Sequence, residues 1–172
     1  MGLGPNVSRM VPRRVGADAG GHRAAGQGIA AYRKIGQVFY VPWFLTLLAD
    51  ASHRAGRTAA ALARLAEAVE AANASQERWF EAEIHRLRGE VLRDSEDHAS
   101  AAACFRTAID IARHQNAKLW ELRSSVSLAH LLRDQGKRTE ASDLLSPLYD
   151  WFTEGFDTSD LVEAKALLDA LN

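Results

Sequence analysis

Residues 82–108 read AEIHRLRGEVLRDSEDHASAAACFRTA, and the spacing of small and large residues in this stretch decides the fold. Gly89 is followed by Ala101, then by Phe105 and Ala108, in a fixed order of small, small, large and small. The same columns stand 40 residues earlier at Ala49, Ala61, Leu65 and Ala68, and 40 later at Ala129, Ala141, Leu145 and Leu148. An aromatic residue leads each unit, at Tyr40, Phe80 and Trp120. Several independent columns in one register, with no insertion between copies, identify an internal repeat, and a period of this length belongs to stacked supersecondary units.

Within each unit the apolar spacing is helical. Leu62, Leu65, Ala66 and Val69 recur every three or four residues, as do Ala101, Ala102, Phe105, Ala108, Ile109 and Ala112. Polar or glycine breaks fall at Gly56, at Asp94 to Asp97 and at Gly136, with others at Asn73 to Gln76 and at Gln115 to Asn116. Each unit is therefore expected to be helix, turn, helix. The small columns have a steric reason: where two helices of a pair cross, a bulky side chain would hold the backbones apart. The large residue of the third column fills the space beside them. This predicts an all-α chain with units at about 37–76, 77–116 and 117–156, closed by a capping segment at 157–172. In that segment Leu161, Ala164, Leu168 and Leu171 make one stripe, Asp157, Thr158 or Ser159 can cap the N-terminus, and Asp160 and Glu163 suit the positive end of its dipole.

Residues 1–27 are different, with six glycines, two prolines and four arginines and little periodicity, and are expected to be disordered or loosely attached. The helical pattern starts near Gly28, and Gly28 to Ile35 reads as the end of the second helix of a preceding unit. The count is thus about three and a half helix pairs over 28–172. A start inside a repeat suggests a fragment of something longer.

The order of small, small, aromatic and small columns resembles the tetratricopeptide repeat, which implies a right-handed α-α superhelix with its first helices lining a concave groove. The period departs from the roughly 34 residues of that family and implies longer helices. From Gly28 onward the chain also resembles the C-terminal region of large bacterial proteins that join a class III adenylate or guanylate cyclase domain to an AAA-type or STAND-type ATPase. The residues carrying this are GIAAYRKIG at 28–36, ERWFEAEIHRLRGE at 77–90, ACFRTAIDIA at 103–112, KLWELR at 118–123, and above all WFTEGFDTSDL at 151–161 followed by EAKA at 163–166. The resemblance implies a sensor or scaffold arm of a signalling ATPase, with an ATPase or cyclase domain of the same system as its partner.

Composition points to no nucleic-acid or membrane partner. The 21 basic and 22 acidic residues nearly cancel, leaving a formal net charge of -1. The longest apolar stretch, Val38 to Leu48, is interrupted by Pro42 and is short of the roughly 20 residues a spanning helix needs. One cysteine, Cys104, precludes an internal disulfide framework and fits a reducing cytoplasm. It abuts Phe105 in an alanine-rich helix and is expected to be a buried, inert thiol.

No catalytic constellation is expected, and no cofactor or metal. A P-loop needs G-x-x-x-x-G-K-[ST], whereas Gly16 to Arg23 (GADAGGHR) has His22 and Arg23 at the last two places. A two-metal cyclase site needs paired aspartates on a mixed sheet, and the sequence offers no strand-rich stretch. None of the six histidines, at 22, 53, 85, 98, 114 and 130, has the H-x-x-x-H or H-E-x-x-H spacing of a zinc site.

Candidate binding residues follow from the groove positions of the tetratricopeptide pattern, registered on Ala49, Gly89 and Ala129. They are Trp43, Thr46, Asp50, His53 and Arg54 in the first unit, and Glu83, Arg86, Glu90, Arg93 and Asp94 in the second. The third supplies Arg123, Val126, His130, Arg133 and Asp134. A wall carrying Arg86, Arg93, Arg123 and Arg133 could hold an acidic peptide or a loop of a partner ATPase by charge-assisted bonds. The other outcome is a solvated face on which Arg86 pairs with Glu90 and Arg133 with nearby acids. The expected function is a non-catalytic protein-interaction or regulatory module. The alternatives are a structural remnant exposing an uncovered face near Tyr32 to Phe44, or a small-molecule sensor with its pocket around Trp43 and Trp120.

Overall fold

The computed structural model describes Gln27 and residues 39–171. The expectations for 1–26 and for the half repeat at 28–35 lie outside the described residues. Among the described residues there are seven α-helices and no strand: α1 (Val41–Arg54), α2 (Thr58–Ser75), α3 (Glu81–Arg93), α4 (His98–His114), α5 (Lys118–Asp134), α6 (Arg138–Asp150) and α7 (Ser159–Leu171). None is long and apolar enough to cross a membrane.

The helices pack as hairpins, α1 on α2, α3 on α4 and α5 on α6, and each second helix also meets the next first helix. The first helices touch one another directly, α1 with α3 and α3 with α5, and α7 continues the series by packing on α5. Helices α2, α4 and α6 make no such mutual contacts. The result is two layers, with α1, α3, α5 and α7 forming one continuous wall. The end of α5's run is closed by Leu161, Ala164, Leu167 and Leu171 of α7. Leu167 takes the buried place expected of Leu168, which is only partly buried, because the covering stripe is rotated by one residue.

Every small and large column of the repeat is buried: Ala49, Ala61, Leu65 and Ala68 in the first hairpin, and their counterparts in the other two. A methyl group built on Gly89 would lie 2.4 Å from Cε1 and 2.6 Å from Cδ1 of Phe105, so the ring occupies the space a side chain would need. In the other two hairpins the corresponding residues are the smaller Leu65 and Leu145 with Ala49 and Ala129, all buried. Of the leading aromatics, Phe80 and Trp120 are buried and meet edge to face with centroids 5.3 Å apart. Tyr40 departs from that pattern: it is 47% exposed, because no described residue covers its outer side.

The first helix of each hairpin ends in the same left-handed turn. Gly56, Glu96 and Gly136 take φ of 70, 63 and 79°. In each turn the following residue's N–H reaches back to a carbonyl five residues earlier, Arg57 to Ser52 at 2.9 Å, Asp97 to Leu92 at 3.0 Å and Lys137 to Leu132 at 2.9 Å. This satisfies carbonyls that the helix end would otherwise leave open. Asp97 then caps α4 by accepting the Ser100 N–H at 3.1 Å.

Helix α5 is enclosed by α3, α4, α6 and α7, and it buries residues on every side, including Ser124, Ser125 and Ser127. Small hydroxylated residues let neighbouring backbones come close, but the Ser124 and Ser125 hydroxyls have no hydrogen-bond partner among the described residues. Cys104 is half-buried, on the flank of α4 and not in the core as expected, because Phe105 takes the inward position. Burial pushes its thiol pKa up, which keeps it protonated.

Candidate functional site: a charged cleft along the first-helix wall

The wall of α1, α3, α5 and α7 bears a cleft of about 560 Å³. Its sides are Arg86, Glu90 and Arg93 from α3, and Arg123, Ser127, His130 and Arg133 from α5, with Val126 on the floor. Asp160 and Glu163 on α7 close one end. Of the residues expected at groove positions, Arg86, Glu90, Arg93, Arg123, His130 and Arg133 therefore line one space, together with Val126 and Asp134.

The remaining expected residues lie elsewhere along the wall. Trp43, Asp50 and Arg54 of α1 meet Glu83 and Trp120 around a second, smaller hollow of about 100 Å³, which shares Arg86 and Arg123 with the main cleft. This is the hollow between Trp43 and Trp120 in which the sensor alternative would seat its ligand. His53 lines neither space; its Nε2 lies 3.0 Å from Asp94 Oδ2, bridging α1 to the end of α3.

The arginines are bound into a chain of ion pairs. Arg86 donates to both carboxylate oxygens of Glu83, at 2.7 and 2.8 Å, and to Glu90 at 3.1 Å. Ser127 of α5 donates to the same Glu90 oxygen at 2.6 Å. Glu83 is shared across helices with Arg123 at 3.0 Å, and Arg123 continues to Asp160 of α7 at 3.4 Å while its guanidinium lies over the Trp120 ring, 5.1 Å from its centroid. In the other direction Glu90 holds Arg93 at 2.6 Å, Arg93 holds Asp94 at 2.9 Å, and Asp94 meets His53. One continuous network thus runs from α1 to α7.

Burial sets the character of these groups. The Arg86 side chain is only 15% exposed. Burial alone would make Arg86 easier to deprotonate, but the charges of Glu83, Glu90 and Asp50 and the Glu83 hydrogen bonds raise its pKa beyond the ordinary value. Burial likewise acts to raise the Glu83 pKa, and is outweighed by the charge and hydrogen bonds of Arg86 and the charge of Arg123, so that carboxyl stays below its usual range. Asp160 is the opposite case. Its pKa is raised, chiefly by burial, which outweighs the opposing charge of Arg123 with smaller help from Glu83 and Glu163. Glu163 is lowered, chiefly by its hydrogen bond with His130, whose Nε2 lies 3.4 Å away.

Ser127, Asp160 and Glu163 were not among the groove residues read from the sequence. The repeat pattern assigns no groove position to Ser127, and the two acids stand on a segment outside the three registered units. The only signal for them was their spacing at the start of the last helix, which suits the dipole equally well.

No group of three or more His, Cys, Asp or Glu side chains among the described residues could hold a metal ion. The chain matches no known protein-family model and no curated protein sequence.

Proposed function

We propose that this chain is a non-catalytic, tetratricopeptide-like interaction module, the regulatory arm of a cyclase-linked signalling ATPase, and that it grips a segment of its partner protein in the α3–α5–α7 cleft. The observation that carries this is the wall itself: first helices in direct mutual contact, backed by second helices that do not touch one another, with a cleft running along the wall. The turns at Gly56, Glu96 and Gly136, each 40 residues on from the last, support a repeat of that period. Stacked hairpins of this kind form right-handed superhelices whose inner face binds peptides. The cyclase and ATPase connection rests on the sequence resemblance, strongest at 151–161.

A photo-crosslinking residue placed at Val126 in the cleft, with another at Ala103 on the outer face of α4, tests the assignment in cells. The cleft position is expected to capture a protein with a nucleotide-binding or cyclase domain, and the outer position is not. Equal capture from both positions, or ATP or cyclic-nucleotide turnover by this chain that a point substitution abolishes, would refute it.

A further inference from the structure

We infer that the cleft receives a cationic segment of the partner, with a lysine or arginine side chain seated against Asp160 and Glu163 of α7, and not the acidic segment that its arginines suggest at first sight. This rests on the cleft being the binding surface, as proposed above.

The first ground is that the arginines have little left to offer. Arg86 spends its donors on Glu83, Glu90 and Ser127. Arg93 is held by Glu90 and Asp94, and Arg123 by Glu83 and Asp160 while stacked on Trp120. Arg133 is the exception: among the described residues it pairs with its neighbour Asp134, which takes two of its five N–H groups at 2.9 and 2.8 Å, in a pair that is largely exposed. At Arg86 and Arg123 a guest carboxylate would have to displace these acids, and removing one partner from a buried pair strands the other.

The second ground is the charge balance. The four arginines of the cleft are outnumbered by the carboxylates that line it or pair with them: Glu83, Glu90, Asp94, Asp134, Asp160 and Glu163. Of these, Glu90, Asp134, Asp160 and Glu163 line the cleft itself and balance its four arginines, so the wall offers an acidic guest no net positive charge.

The third ground is where acceptor capacity remains. An ionised carboxylate offers about four acceptor sites. Among the described residues, Asp160 is matched only by Arg123 at 3.4 Å, and Glu163 only by His130 at 3.4 Å. The two stand one helical turn apart at the end of the cleft, so a single ammonium or guanidinium can reach both. Val126 on the floor gives the methylene stem of such a side chain an apolar surface to lie on. A cation here would also compensate the half-buried Asp160, whose burial now opposes its ionised form.

Fluorescence anisotropy of the full chain with three labelled peptides decides the matter: a short Lys/Arg/Ser sequence, its Glu/Asp/Ser counterpart and an uncharged Gly/Ser sequence. The basic peptide is expected to bind, more weakly as salt is raised. Loss of a charge-assisted contact in Glu163→Gln or Asp160→Asn should weaken it about tenfold each, with unchanged circular dichroism melts. Glu163 is 60% exposed, so its variant keeps the fold even if Asp160→Asn does not. Preferential binding of the acidic peptide, lost in Arg133→Gln, would overturn the inference and leave the cleft as the binding surface. Basic-peptide binding indifferent to both α7 variants would overturn it too, by placing the cation elsewhere. Binding of no peptide also overturns it, and the crosslinking experiment then decides separately whether the cleft binds anything.

Discussion

Gly89→Ala is the most exposing test of how the hairpins are held together. In an open helix the change would stabilise by about 1 kcal/mol, because alanine loses less backbone freedom than glycine. Here the new methyl would sit 2.4 Å from a carbon of the Phe105 ring, which is itself fully buried and cannot swing into solvent. Overpacking of this kind costs about 1–3 kcal/mol, so a net destabilisation of about 1 kcal/mol is expected. Phe105→Leu alone should also destabilise, by roughly 1–2 kcal/mol, through the smaller volume it leaves. Combining the two recreates the alanine and leucine that stand at the corresponding positions 49 and 65, and 129 and 145, all buried, so the double variant should be more stable than the sum of the single effects by about 1–2 kcal/mol. Urea unfolding followed by far-ultraviolet circular dichroism reads these differences, since 1 kcal/mol moves the midpoint by about 0.5 M at a slope of ~2 kcal/mol/M. A Gly89→Ala protein that is more stable than the parent, or a cycle with no coupling, would show that the ring does not occupy this space in solution.

Glu96→Gly should raise stability by about 1 kcal/mol, because Glu96 holds a φ of 63° that costs a residue with a Cβ and not a glycine; a melt no higher than the parent's would contradict that turn geometry. Ser125→Ala should be stabilising by about 1 kcal/mol in the same assay, since it removes a fully buried hydroxyl with no partner, and a loss of stability would mean the hydroxyl is bonded. Glu83→Gln should cost about 3 kcal/mol at neutral pH by leaving buried Arg86 undercompensated. Because the folded pKa of Glu83 lies below its ordinary 4.5, its contribution is fully present above that value and is lost as pH falls through the folded pKa; the Gln variant should therefore show a shallower acid denaturation slope than the parent, and an equal slope would count against the pairing. Asp160 has the opposite sign: its raised pKa makes its ionised form a cost that lessens on acidification, so Asp160→Asn should be near neutral or slightly stabilising at neutral pH, measured by the same unfolding curves.

The hairpins were legible in the sequence because packing repeats with the chain. Each of Ala61, Ala101 and Ala141 occupies the same kind of buried crossing, so a single steric rule leaves one column. The turn positions were legible for a similar reason, although Glu96 shows that the rule tolerates a residue other than glycine in the second copy. Positions of the wall residues could also be read, and eight of them share the main cleft. Their state could not. Whether Arg86 faces a ligand or Glu83 depends on rotamers, and whether Arg123 meets Glu83 depends on how α5 sits against α3, 40 residues away in the chain. Nor could the contribution of α7 be read, since Asp160 and Glu163 have no counterparts in the repeat.

The chain of hydrogen bonds and ion pairs from His53 to Asp160 has a consequence for how such a protein can drift over evolutionary time. Each link is shared: Glu83 serves Arg86 and Arg123, and Glu90 serves Arg86 and Arg93. Replacing Glu83, Arg86 or Glu90 alone leaves an odd charge at a largely buried place. Substitutions there should therefore be inherited in compensating sets spread over four helices, while the outer faces of α2 and α4 vary one residue at a time. Among related sequences, correlated change along this line would record the network more durably than the identity of any single arginine.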